Sequence, residues 1–340
     1  MADQVLVTGI GGFIGLHVAL GLLQAGHQVR GTLRDPARGK DIRDALAAAG
    51  GDISRLRLIV ADLGDTRAWR EAVEGCRYVQ HVASPFPMRQ PSGREALVDA
   101  ARDGTINVVE AALGAGVERI VVTSSIVTMM YRAGRPGRIR VGETDWTDPE
   151  WRGLSPYIVS KTRAELALWE RLKSWGASER VVTIHPGLVL GPLLSDSFGT
   201  SVGLIALLLG GKYPALTPVS YAVADVRDVA ELHIRAMTQP GLGARRLIAA
   251  ADTLSLFEIA DILREALGPE AQKIPRRVLP GLLVRAIALV DPAVRAVTPD
   301  LGTVPLAETG YVTAATGQVF RPARDAVVAA GQSLVARRLI

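Results

Sequence analysis

Cysteine is almost absent from this 340-residue chain, where Cys76 stands alone. That excludes an intramolecular disulfide and leaves nothing for a thiolate metal site, so a small buried side chain is the plain reading. Histidine is nearly as scarce: His17, His27, His81, His185 and His233 are too far apart for metal-ligand spacing, and no metal is expected. Aromatic residues make up only 5% and are not interleaved with basic ones, which removes the stacking platform that a nucleic acid would use. Long apolar runs are missing as well. The most apolar stretches, 202–209 and 282–290, fall short of the roughly 20 residues of a membrane span, and the second carries Arg285. The N-terminus runs straight into a strand pattern with no basic segment and cleavage site ahead of it. No membrane association and a cytoplasmic location are expected.

What the chain does have is an ordinary globular balance, 48% hydrophobic and 21% charged, at a length suited to about two domains or one large α/β unit. Its formal charge of +5 comes from basic residues spread along the sequence, apart from short groups such as Arg135, Arg138 and Arg140 or Arg337 and Arg338. A solvated surface, with no nucleic-acid partner, is the expectation. Strand-like apolar runs at 4–8, 28–32, 56–60, 78–82, 119–123 and 181–184 alternate with helix-length segments such as 14–24, 94–113 and 156–175. This alternation predicts an α/β fold, a doubly wound parallel (Rossmann) sheet covered on both faces, with ligands at the carboxyl ends of its strands. Beyond about residue 190 the pattern is broken by Gly191-Pro192, Gly210-Gly211, Pro214 and Pro218, although 256–267 still reads as a helix. The expected division is a dinucleotide-binding domain over 1–190 and a smaller substrate lobe over 191–340, with a segment at about 220–250 returning to the sheet.

Directly after the first strand comes Thr8-Gly9-Ile10-Gly11-Gly12-Phe13-Ile14-Gly15. Gly9 suits a tight turn, Gly12 lets the backbone approach a pyrophosphate, and Gly15 permits close packing of helix on strand. The phosphates would sit on the N-terminus of the helix that Phe13 and Ile14 open, where free N–H groups and the dipole favour anions. The second strand ends Thr32-Leu33-Arg34. An arginine there can hold a 2′-phosphate that a carboxylate would repel, which points to NADP(H), with Lys40 or Arg38 as helpers. Asp35 is the competing reading: it could hold the ribose of NAD, although Pro36 behind it suggests a turn. Asp62 and Leu63, after the third strand, suit the adenine edge, and Asp62 reads equally well as a turn aspartate.

At the other end, Ser155-Pro156 reads as an N-cap followed by proline at the first helical position. Tyr157 and Lys161 then stand one turn apart on one helix face. Bringing a phenol from a pKa of about 10 to near 7 requires about 4 kcal/mol, which the lysine and an oxidised nicotinamide could share. Thr123-Ser124-Ser125 ends the fifth strand, where a hydroxyl could donate to a substrate carbonyl beside the tyrosine.

Together, the glycine loop, His81-Val82-Ala83-Ser84-Pro85, Thr123-Ser124-Ser125, Tyr157-x-x-x-Lys161-Thr162 and Pro186-Gly187-Leu188-Val189-Leu190-Gly191-Pro192 resemble the extended short-chain dehydrogenases/reductases. Within them the chain is most similar to the dihydroflavonol 4-reductase-like branch. The resemblance covers residues 4–240 and implies NADPH-dependent reduction of a ketone or aldehyde to the alcohol. It assigns Ser125 to polarising the carbonyl, Tyr157 to general acid catalysis, and Lys161 to tuning the phenol and bonding the nicotinamide ribose. Val82, Ala83, Ser84, Pro186, Gly187 and Val189 would flank the nicotinamide half, with Thr123 beside them.

Two departures narrow what the resemblance implies. Dihydroflavonol reductases carry an asparagine five positions after the catalytic serine, where this chain has Met130, which argues against a flavonoid. Cinnamoyl-CoA reductases carry Asn-Trp-Tyr-Cys-Tyr around the tyrosine, where this chain has Leu154-Ser155-Pro156-Tyr157-Ile158, which argues against a coenzyme A thioester. Phe86, Ile126, Met130 and Tyr221 are candidate walls of an apolar pocket for an aromatic or hydrophobic carbonyl compound, and each also reads as core. Two rival readings use the same residues: an NAD-retaining sugar-nucleotide epimerase or dehydratase, and a non-catalytic NAD(P)-binding sensor. A homodimer is compatible with the resemblance, through the helix that carries Asn107.

Overall fold

Valine, leucine and isoleucine dominate the strand-like runs of the N-terminal half, and in the computed structural model these runs pair into a single parallel sheet. The structure describes residues 3–84, 93–134, 137–151, 153–291, 294–295 and 297–340. The strands are β1 (Gln4–Thr8), β2 (Gln28–Leu33), β3 (Leu56–Val60), β4 (Tyr78–His81), β5 (Arg119–Thr123), β6 (Gly137–Val141), β7 (Val181–Pro186), β8 (Leu188–Leu190), β9 (Ser220–Asp225), β10 (Arg246–Ala249), β11 (Thr253–Ser255) and β12 (Thr303–Ala307). Seven of them form the sheet, in the order β10-β7-β5-β4-β1-β2-β3, with every neighbouring pair parallel. The strand order reverses between β1 and β4, so a crevice opens at their carboxyl ends.

The faces of this sheet follow from the two-residue period of its strands. Val5 and Val7 join Val121, Val182 and Leu247 on one side, against the helices α1 (Phe13–Gln24) and α2 (Gly39–Ala48). Leu6 joins Val79, Ile120 and Val122 on the other, against α3 (Thr66–Val73), α4 (Val98–Gly114) and α6 (Pro156–Ser174), which follows the short α5 (Val127–Met130). Trp69, Leu168 and Leu172 are sealed in this second layer, each such burial contributing about 1.5–3 kcal/mol. The helix expected over 94–113 begins at Val98, after a turn.

Within 220–250, α8 (Val226–Thr238) packs beside α1 and β10 adds the edge strand, while β9 pairs with β8 and β11 in a separate three-stranded sheet. That small sheet adjoins a second apolar core made by α7 (Thr200–Leu209), α9 (Leu256–Leu267) and the helix Ala323–Ala336. A capping box at Ser255 and Glu258 starts α9 at the position that the sequence pattern marks. Finally, β12 pairs in parallel with β6, Thr303 opposite Gly137, and brings this late part of the chain alongside the strand that follows α5. Among the described residues, no helix is long and apolar enough to cross a membrane. Cys76 is buried in the second layer, where desolvation pushes its thiol up.

Candidate active site

The glycine loop adopts the shape that its spacing predicts. Gly9 turns the chain at φ +64°, and a Cβ there would meet Ala83 Cα at 2.9 Å; a Cβ at Gly15 would run into the Gly9 carbonyl. Gly12 is the N-cap of α1, which has no side-chain cap and no acidic residue in its first turn, so its leading N–H groups are left for an anion. The Thr8 hydroxyl bonds His81 Nδ1 at 3.0 Å and accepts from the Ala83 N–H at 3.0 Å, fixing the exit of β4 against β1. Desolvation, with the Lys161 charge adding to it, lowers His81 to about 3, so the ring is neutral.

All but one of the residues expected around the cofactor line one cleft of about 890 Å³ running from this loop to Tyr157. The exception is Lys40. Its ammonium is 82% exposed and pairs with Asp44 at 2.5 Å, because the (i, i+4) spacing on the solvent face of α2 supplies a nearer anion. Arg38 lies in the cleft instead and donates to the Gly11 carbonyl at 3.1 Å. Arg34 is exposed at the cleft's rim and has no hydrogen-bond or ion-pair partner among the described residues. The Asp35 carboxylate caps Ala37 N at 3.0 Å, the turn role suggested by Pro36. Asp62 accepts from Gly64 N at 2.9 Å, the turn role, and also faces the cleft. A glycine cradle, an open helix N-terminus and an unpaired guanidinium together fit a dinucleotide carrying an extra phosphate.

Ser155 caps α6, its hydroxyl accepting from Ile158 N at 3.4 Å. The helix therefore presents Tyr157, Lys161 and Glu165 on one face at four-residue intervals. The Tyr157 and Ser125 hydroxyls share a hydrogen bond, and Lys161 Nζ donates to the Thr123 carbonyl at 3.4 Å. Desolvation lowers Lys161 to about 8, against the opposing charge of Glu165. The phenol behaves differently from expectation: desolvation pushes Tyr157 up, opposed only by the Ser125 bond. The two groups share a face, yet the protein's own groups hold the phenol protonated and do not acidify it.

Sequence reasoning missed what lies beneath. Glu165 is buried, and its carboxylate accepts from Ser124 Oγ at 2.7 Å, Arg246 Nε at 2.8 Å and Trp169 Nε1 at 3.2 Å, with His185 Nε2 at 3.2 Å. His185 Nδ1 lies 3.2 Å from the Ser125 carbonyl. Arg246 also donates to the Glu143 and Asp145 carbonyls at 2.9 and 2.6 Å and stacks on Trp146 at 3.6 Å. Thr200 and Ser201, at the start of α7, also line the cleft; Gly199 ahead of the apolar run 202–209 was the available signal.

The substrate-side expectations fare less well. Ile126 and Met130 are buried with Met129, Tyr131 and Ile158 in a core cluster against which Tyr157 packs, and neither lines the cleft; for both, the core reading holds, because the four-residue helix α5 turns them inward. Tyr221 is half-buried and close enough to Asp300 to feel its charge. Phe86 lies outside the described residues. Asn107 donates to the Leu63 carbonyl at 3.2 Å, tying α4 to the turn after β3.

Residues 5–248 match the family model described as the NAD dependent epimerase/dehydratase family. Cinnamoyl-CoA reductase 1 of Petunia hybrida is 38% identical over 261 residues, 76% of each chain. Tetraketide alpha-pyrone reductase 2 of Arabidopsis thaliana is 34% identical over 270 residues, 77% of this chain and 82% of that one. Among solved structures, Gre2 of Candida albicans in complex with NADPH superposes with a TM-score of 0.79 at 25% identity, covering 98% of this chain and 99% of that one.

Proposed function

The chain belongs to the NAD dependent epimerase/dehydratase family, the extended short-chain dehydrogenases/reductases, and within it we propose an NADP(H)-dependent reductase. It converts a ketone or aldehyde, aromatic or otherwise apolar, to the alcohol. The observation that carries this reading is the convergence of Ser125, Tyr157 and Lys161 on a cleft whose far rim holds the unpaired Arg34. Relatives of this degree of likeness are named as reductases, and the Candida albicans structure was solved with NADPH.

The N-terminus of α1 would receive the pyrophosphate and Arg34 the 2′-phosphate, helped by Arg38. The chemistry that NADPH supplies when bound is a hydride for the carbonyl carbon. Ser125 donates a hydrogen bond to the carbonyl oxygen and fixes its position. Tyr157 delivers its hydroxyl proton to that oxygen. A phenol pushed up by desolvation is the right proton donor at neutral pH, since it carries its proton when the substrate arrives. The Lys161 ammonium, one turn along, offsets the negative charge left on the phenolate and orients the ribose. Residues 191–340, apart from α8 and β10, which belong to the large sheet and its core, mainly form the substrate-binding lobe, and the same proposal takes the enzyme as a homodimer. Without the Asn-Trp-Tyr-Cys-Tyr signature around Tyr157, the substrate is a free carbonyl compound and not a coenzyme A thioester.

The test follows NADPH and NADH absorbance with a panel of aldehydes, aryl ketones, keto esters and steroids. Turnover that prefers NADPH is expected. Protein that purifies with stoichiometric NAD and oxidises NADPH with no member of the panel would overturn the reading in favour of an epimerase.

A further inference from the structure

Asp300 ends a 3₁₀ turn, Thr298–Asp300, just ahead of β12. It lies beyond the residues 5–248 that match the family model. The pairing of β12 with β6 carries this turn to the residue that follows α5, and there the Tyr131 hydroxyl donates to Asp300 Oδ1. Tyr131 follows Ser125 by six positions, and Tyr157 and Tyr221 are both near enough to interact with it. Three phenols and one carboxylate therefore meet beside Tyr157, in the cluster that packs against it.

The carboxylate is poorly satisfied. Desolvation raises Asp300 to about 6, and the Tyr131 bond alone opposes it. Among the described residues no cation pairs with it. Arg295, the nearest along the chain, donates to the Ala288 and Leu289 carbonyls, each at 2.9 Å, Arg132 pairs with Asp145 at 3.3 Å and Arg140 with Glu308 at 3.3 Å. Among the described residues nothing donates to Oδ2, and that oxygen is not among the atoms sealed from solvent. A half-buried carboxylate with one oxygen tied back and the other open is costly alone and favourable once a donor reaches it. The Tyr131 bond fixes the direction in which the open oxygen points.

We propose that Asp300, held by Tyr131, is a specificity-determining residue that accepts a hydrogen bond from an O–H or N–H group on the end of the substrate remote from the reacting carbonyl. The inference rests on the reductase reading of the same site. It narrows the substrate class to apolar carbonyl compounds carrying one hydroxyl or ammonium group.

The experiment compares phenyl methyl ketone with its 3- and 4-hydroxy and 3- and 4-aminomethyl derivatives, as kcat/KM with NADPH and as dissociation constants by titration calorimetry. The wild type should favour at least one donor-bearing ketone about tenfold or more, the scale of a hydrogen bond to a charged group. Asp300→Asn, Asp300→Ala and, more weakly, Tyr131→Phe should collapse that preference. A preference for the hydroxyl derivatives identifies a neutral donor; one confined to the aminomethyl derivatives identifies a cation. An aminomethyl preference should fade as pH falls below about 6, where Asp300 gains a proton while the raised phenols of Tyr131 and Tyr221 stay neutral. The inference fails if the wild type shows no preference for any derivative, or if the preference survives within twofold in the folded variants. Should turnover be absent altogether, the reductase reading fails while the calorimetric ratio still decides the role of Asp300.

Discussion

The Glu165 carboxylate takes a hydrogen bond from the Ser124 hydroxyl at 2.7 Å, which ties the helix carrying Tyr157 and Lys161 to the turn carrying Ser125. One helix face thus carries the proposed proton donor, the cation and a structural anchor in three successive turns, and the anchor holds Ser124, the residue before Ser125. His185 adds a second tie by its approach to the Ser125 carbonyl.

Removing the anchor should be expensive. Glu165→Ala leaves the Arg246 guanidinium buried without its carboxylate, and breaking a buried pair from one side costs about 3–5 kcal/mol. Urea unfolding should show that loss; a change under about 1 kcal/mol would mean that solvent reaches the site. Although burial alone would raise it, His185 and Arg246 hold Glu165 well below the usual carboxylate range. The unfolded chain therefore takes up this proton first, near the ordinary value of about 4.3. The group's contribution to stability is present above that pH and lost progressively as the pH falls below it.

The proton donor has its own test. Tyr157→Phe keeps the ring and removes the acid, and should lower kcat by about 10²–10⁴. Retention of more than about a tenth of wild-type turnover, well outside that range, would assign proton delivery to another group. Ser125→Ala, which removes the hydroxyl that bonds the phenol, should also lower kcat, with a smaller effect on NADPH affinity.

Much of this was legible in the sequence, for identifiable reasons. Gly9, Gly15, Ser155 and the Tyr157–Lys161 spacing act within one or two turns of chain, so local steric and capping rules describe them. The network around Glu165 was not legible, because Arg246 lies 81 residues away and only the closing of β10 onto β7 brings it in. The pairing of β6 with β12 was hidden similarly, since Pro305 in a two-stranded ribbon reads as a turn and not as a strand. Lys40 looked like a phosphate ligand because sequence distance cannot tell the cleft side of α2 from its solvent side.

On the proposed mechanism, Lys161 should set the alkaline limit. With its ammonium lowered to about 8 by desolvation, the charge that offsets the phenolate disappears as pH rises through that value, and kcat/KM for carbonyl reduction should fall above it. The raised phenol of Tyr157 stays protonated across the same range and contributes no competing step. Lys161→Arg keeps a cation that does not titrate below about pH 12. The limb near pH 8 should then vanish, even if the bulkier head lowers the plateau; a limb that persists unchanged belongs to another group.

The nucleotide preference turns on which arginine meets the extra phosphate. Arg34 is exposed and unpaired at the end of β2, whereas Arg38 already holds the Gly11 carbonyl and Lys40 already holds Asp44. A charge-assisted bond contributes about 1.5–3 kcal/mol, so Arg34→Ala should raise KM for NADPH about 10- to 100-fold and leave KM for NADH nearly unchanged. Arg38→Ala should have a smaller effect on NADPH, because its present bond is spent on the glycine loop, and Lys40→Ala none. Equal losses toward both nucleotides in Arg34→Ala would move the phosphate away from β2. The Asp35 carboxylate, freed from its cap on Ala37 N by a local shift, would then become the group that reads the ribose.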